Sequence, residues 1–259
     1  ALTTGVNNVA VGYNALLAGT TETDDNVAIG YNAMSGAIGT EQVNDCIAIG
    51  SGALSGALDS TDGADEASGT IAIGKSALAA LTDGHKNTAI GYLALTANTQ
   101  GDNSVAVGYQ SLMAQNGVNG EYSNTAVGMQ SGKALTTGRY SVAIGFEALL
   151  TEDVGDFSTA VGYAALYAQN SGSTVTTNNT LYPRATLFIT TGIENTAVGS
   201  DSLEANTTGN YNVAVGGNAL IVATTGDSNT GIGYNALTAT STGQYNTAVG
   251  SAALATNTT

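Results

Sequence analysis

One short phrase recurs along the chain. A β-branched residue is followed by Ala, then Val or Ile, then Gly, as in Val9-Ala10-Val11-Gly12 and Thr247-Ala248-Val249-Gly250. The glycines stand at 12, 30, 50, 74, 91, 108, 128, 145, 162, 199, 216, 233 and 250, which makes 13 copies, one of them with Gly231 in the Ala place. Seven of the twelve intervals are 17 residues, so 17 is the basal period and longer intervals read as insertions. Such self-similarity marks a repeat architecture. β-branched residues two apart share one face of a strand. The phrase therefore predicts a short strand with bulk on one face and a methyl group on the other. Four residues after Gly comes Leu or Met in 12 of 13 copies, from Leu16 and Met34 to Leu254. The exception follows Gly128, where Leu135 is expected to substitute. Four residues before Gly sits Asn in eight copies, with Ser, Thr or Cys46 in the others. Short polar side chains there can bond turn backbone, and stacked copies can bond one another. Connectors such as Asn206-Thr207-Thr208-Gly209 are turn chemistry.

A 17-residue unit with one strand and a second apolar segment suits one coil of an all-β parallel β-solenoid. Helical repeats are longer and richer in Leu, Lys and Glu. About 13 coils stacked at roughly 4.8 Å would form one repeat domain over 1–259, about 60 Å long. The expected core of each coil is one Val or Ile, one Leu, and Ala. A solenoid so thin should bury a second face against something, and identical chains around a shared axis would do so.

The phrase Asn-x-Ala-[Val/Ile]-Gly-x-x-Ala resembles the head repeats of YadA-like trimeric autotransporter adhesins. The longer unit, with its Thr-Thr-Gly-x-Tyr connector, is similar to repeats of phage tail fibres. The resemblance spans nearly all of the chain. It implies a left-handed β-roll packed as a homotrimer. It also implies a non-enzymatic role in attachment to a cell-surface glycan or protein receptor, outside the cell, on a virion tail fibre or a bacterial surface. Families of this kind carry stalks, anchors or chaperones that these residues do not contain, so the chain reads as a fragment or processed product.

Composition narrows the chemistry. Twenty acids against five Lys and Arg give a net charge of −15. That argues against nucleic-acid binding, which needs cations to displace counterions from phosphate. No apolar run is long enough to span a membrane as a helix. One Cys forms no internal disulfide, and one His, His85, leaves little for His-dependent catalysis or His-rich metal centres. No pair of acids recurs as a glycosidase pair would, so no enzymatic activity is expected. Cys46 reads as a buried small residue.

Three decorated regions stand out. The interval from Gly162 to Gly199 is 37 residues and reads as an inserted loop or hairpin over 167–194. Its aromatics and Arg make Tyr167, Tyr182, Arg184 and Phe188 candidates for receptor contact. Residues 1–66 hold nine acids and no Lys or Arg. Within them, Asp59, Asp62, Asp65 and Glu66 offer oxygen ligands for calcium, against the plainer reading of a solvated acidic loop. Tyr or Phe follows the repeat Gly at seven positions, and a second aromatic set lies five before Gly. These rings are expected to stack along the coils, with glycan stacking as the functional alternative. Two other functions fit the repeat. Thr at 88, 125, 159, 196, 230 and 247 could form an ice-binding array, or the solenoid could be a purely structural fibre spacer.

Overall fold

The computed structural model describes residues 5–17, 23–36, 38, 43–58, 67–117, 120–172, 176–182 and 190–258. The described residues contain β-strands and turns and no helix. They form a parallel β-solenoid that divides into two compact units, residues 1–137 and 138–259.

In the first unit the strands are β1 (Val9–Val11), β2 (Val27–Ile29), β3 (Ile47–Ile49), β4 (Ile71–Ile73), β5 (Thr88–Ile90), β6 (Gly101–Asp102), β7 (Val105–Val107), β8 (Gly120–Glu121) and β9 (Thr125–Val127). The seven three-residue strands pair in parallel and in register, so Ala28 lies against Ala10 and Ala48. β6 and β8 form a separate two-stranded parallel pair. The second unit repeats this with β10 (Val142–Ile144), β11 (Thr159–Val161), β12 (Thr180–Tyr182), β13 (Thr196–Val198), β14 (Val213–Val215), β15 (Thr230–Ile232) and β16 (Thr247–Val249).

β12 corrects the sequence reading. The 37-residue interval holds a further rung, and residues 180–182 are no hairpin arm. Thr180 pairs in parallel with Thr159 and with Thr196, and Leu181 takes the central Ala position, fully buried. The phrase Thr-Leu-Tyr-Pro carries neither Ala nor Gly, so the repeat is invisible there to pattern matching.

The strands also face the other way from the expectation. From β2 onward the central residue points into the coil and is buried. The flanking Val, Ile and Thr point outward and are half-buried or exposed. The coil is too thin for two large side chains across it. A methyl group opposes the Leu that follows, and the bulk goes outside.

Glycine after the strand has two reasons. Its φ lies between +122° and +139°, which L side chains rarely adopt. A Cβ there would also collide with the next coil, as at Gly91, where it would run into the Gly108 carbonyl oxygen. The Leu or Met four residues later sits in the left-handed region at +46° to +54°. That conformation costs about 1–2 kcal/mol. Burying the side chain returns roughly 1.5–3 kcal/mol, and from Leu16 to Leu237 these side chains are buried. After Gly128 the left-handed slot is filled by Gly132, at φ +57°, which has no side chain to bury; Leu135 does not replace it, but is buried at the offset that Leu81 and Gln115 occupy in their coils.

The interior polar position is a ladder. Asn195 Oδ1 accepts the Asn212 backbone N–H, Asn212 Oδ1 accepts that of Asn229, and Asn229 Oδ1 accepts that of Asn246, each at 3.0 Å. The Asn212 amide also donates to the Gly226 carbonyl at 2.7 Å. Each Asn thus satisfies one donor and one acceptor of the buried turn backbone, which a dry interior requires.

Candidate attachment surface

The first surface is the outer face of the parallel sheet. In each unit the last residues of the three-residue strands form a column, and Val11, Ile29, Ile90 and Val127 in the first and Ile144, Val198, Ile232 and Val249 in the second are between 36% and 68% exposed. The first residue of each strand adds a second column of Val, Ile or Thr. In each unit this makes a regular apolar strip with no charged side chain on the three-residue strands. Contiguous exposed apolar surface of this kind marks an interaction site.

The second surface is aromatic. Rings that follow the repeat Gly stack in pairs: Tyr13 on Tyr31 with centroids 5.5 Å apart, Tyr92 on Tyr109 at 5.6 Å, and Phe146 on Tyr163 at 5.4 Å. In the column before the strand, Tyr140 stacks on Phe157 at 5.1 Å. In-register coils force this, because equivalent residues lie one strand spacing apart. Stacking turns ring faces toward one another and ring edges to water. A sugar stacks on a ring face, so within each pair only the outer faces are open. Lys75 Nζ covers Tyr92 at 5.8 Å from the centroid.

Of the residues singled out in the long interval, Tyr182 ends β12 and is 38% exposed in the outward column. Tyr167 is half-buried, and its carbonyl accepts the Thr151 hydroxyl at 2.8 Å. Arg184 and Phe188 lie outside the described residues, as do Asp59, Asp62, Asp65 and Glu66. Among the described residues no three or more His, Cys, Asp or Glu side chains gather in a way that could hold a metal ion.

Ionisable groups elsewhere serve the scaffold. His85 Nδ1 lies 3.3 Å from Asp102 Oδ1, which also accepts the His85 backbone N–H at 2.9 Å. Burial pushes the Asp102 carboxyl above its usual range and the Glu121 charge adds to this, while the His85 N–H and the His85 and Lys86 charges pull it back. Asp24, Asn44, Asp156, Asn210 and Asp227 accept backbone N–H groups of the preceding coil in the same manner. Cys46 is buried, as expected. Its thiol donates to the Ala67 carbonyl at 2.9 Å, and burial pushes its pKa up to about 12.

A second buried column went unread in the sequence. Seven residues after the repeat Gly lie Leu81, Asn98, Gln115, Leu135, Glu152, Gln169, Asn206, Ala223 and Thr240, all buried. Glu152 is the charged member. Its Oε1 accepts the backbone N–H groups of Asp153, Val154 and Gly155 at 3.0, 3.2 and 2.8 Å and the Ser171 hydroxyl at 2.9 Å. Its Oε2 accepts the Gln169 amide at 2.6 Å. With the Ser171 backbone N–H at 3.5 Å, six donors hold the carboxyl group, so it works as a structural acceptor. Mixed polar and apolar occupancy at this offset hides the column from a search for periodic hydrophobicity. The chain matches no protein-family model and no curated protein sequence.

Proposed function

We propose that the chain is a non-enzymatic segment of a homotrimeric fibre or head that attaches to a cell surface, as part of a phage tail fibre or a bacterial adhesin head. The outward Val/Ile strip carries this reading. A half-exposed apolar column repeated on strand after strand is covered when identical chains meet on that face around a common axis. Each rung then gains burial of Val or Ile at roughly 25 cal/mol per Å². Three chains present three copies of every weak contact, so attachment strengthens through effective concentration. Arg184, with Tyr167 and Phe188, supplies the receptor contacts of this reading, Tyr182 being covered with the strip in which it stands, and the receptor is a surface glycan or protein. Calcium at Asp59, Asp62, Asp65 and Glu66 would be a stabilising addition.

Light scattering on the eluting chain tests the assembly. The expected mass is about three times 25.6 kDa, falling to one chain when Ile144→Asp and Val198→Asp interrupt the strip. Cell binding by the trimer should be lost in Tyr167→Ala/Arg184→Ala with the mass unchanged.

One rival has its own observation. Thr159 with Val161, Thr196 with Val198, Thr230 with Ile232 and Thr247 with Val249 face outward together on a regular sheet. Such an array could order water and bind ice. It needs the face that trimerisation would cover, so the two readings exclude each other. A monomer with thermal hysteresis would replace the fibre reading.

A further inference from the structure

Among the described residues four aromatic pairs stack between neighbouring coils, but their chemistry differs. Tyr13–Tyr31 and Tyr92–Tyr109 bring two phenols together, with near-parallel rings tilted by 12° and 18°. Tyr140–Phe157 and Phe146–Tyr163 have the same geometry with one phenol each. The rings of Tyr13, Tyr31, Tyr92 and Tyr109 are all exposed. These residues are open to solvent while each ring has a fixed neighbour.

We propose that Tyr13–Tyr31 and Tyr92–Tyr109 are oxidative cross-linking sites, at which a one-electron oxidant couples the paired phenols into dityrosine and staples one coil to the next. Each phenol loses one electron and its hydroxyl proton to give a phenoxyl radical. The two radicals join by a carbon–carbon bond between ring carbons ortho to oxygen. The hydrogens on those carbons leave as protons, and the oxygens are reprotonated as aromaticity returns. Two electrons and two protons leave in total. Hydrogen peroxide, acting through a haem peroxidase, takes them up and becomes two molecules of water.

The pairing favours coupling within one chain, because stacking holds the second radical beside the first. The link has a mechanical consequence. Coils in a solenoid contact only their neighbours and can open one at a time. A bond between adjacent coils forces them to open together. Tyr13–Tyr31 joins the coils of β1 and β2, and Tyr92–Tyr109 those of β5 and β7. The two sites differ in ease of oxidation. The Lys75 ammonium over Tyr92 is attracted to the electron-rich ring face, and its charge opposes electron removal. Tyr13–Tyr31 therefore couples first.

The experiment exposes the folded chain to a haem peroxidase with limiting hydrogen peroxide. Dityrosine fluorescence and peptide mass mapping follow the product. The expected result is a link within single chains that removes two hydrogens, appearing first between the peptides holding Tyr13 and Tyr31, then between those holding Tyr92 and Tyr109. Y31F should abolish the first and leave the second, and Y109F the reverse. In denaturant both specific links should fall to the level of random coupling. Links spread over the other tyrosines, links formed only between chains, or an unchanged pattern in denaturant would overturn the proposal.

Discussion

Two stretches of the second unit solve the same interior problem with different residues. From 195 to 246 the ladder is Asn on Asn, and Asn195, Asn212 and Asn229 each reach both a backbone N–H of the next coil and the carbonyl of a connector Gly. From 141 to 158 the ladder is Ser. The Ser141 hydroxyl accepts the Ser158 N–H at 3.2 Å, but a hydroxyl is too short to span to the connector. A longer amide comes from across the coil instead. Gln169 donates to the Ser158 hydroxyl at 2.8 Å and accepts the Asn179 amide at 3.0 Å. The Ser104 coil of the first unit repeats this, with Gln115 donating to Ser104 at 3.0 Å and accepting from Asn124 at 3.0 Å. All three Ser positions, 104, 141 and 158, have Gln or Glu eleven residues on, at 115, 152 and 169. The Asn coils there carry Asn, Leu, Ala or Thr, as at Asn98, Leu135, Ala223 and Thr240. The lesson is that the interior preserves satisfied donors and acceptors, and the residue at any one position is free to change if a partner across the coil changes with it.

The largest effect should come from Glu152→Ala, which breaks the Ser-laddered solution outright. It removes the Glu152 acceptor from the buried Gln169 amide and Gly155 N–H, and from half-buried donors of Asp153, Val154 and Ser171. Each unsatisfied buried group costs about 1–3 kcal/mol, so the urea midpoint should fall by the equivalent of about 3 kcal/mol or more. Asn212→Ser converts one Asn coil halfway and strands the Gly226 carbonyl, at about 1–2 kcal/mol. Adding Ala223→Gln, eleven residues on, should restore part of that loss. A double-mutant cycle on the urea midpoint reads the coupling, and independent, additive losses would contradict the exchange rule.

A smaller effect distinguishes the Ser104 coil by pH. The folded-state pKa of Asp102 is raised, so the folded chain holds that proton more tightly than the unfolded chain. The stability it contributes is present below the unfolded carboxylate value and is lost as pH rises through the folded one. Asp102→Asn should remove this slope and keep the acceptor for the His85 N–H, as Asn210 does for Ile193 at 3.0 Å. Stability measured across the carboxylate range, from about pH 3 to pH 7, tests it. The smallest effect concerns Cys46, which stands in an Asn position. With its pKa near 12, the thiol should resist alkylation at mildly alkaline pH until the chain unfolds, and labelling should track the unfolding curve.

The sequence by itself determined the period, the strand positions and the requirement for Gly and Leu. Each of these repeats at fixed spacing, and each follows from local backbone geometry and hydrophobicity. It also held the exchange between Ser and Gln at an offset of eleven, but a search for apolar periodicity passes over a column that alternates between Leu, Asn and Glu. Tertiary structure alone decided which face of the strand turns inward. Alternation marks two faces without saying which is core, and the thinness of the coil selected the methyl face. It also decided that Thr180–Tyr182 is a rung. Parallel neighbours on both sides supply the backbone pairing, so the strand forms without the Ala and Gly by which the others are recognised.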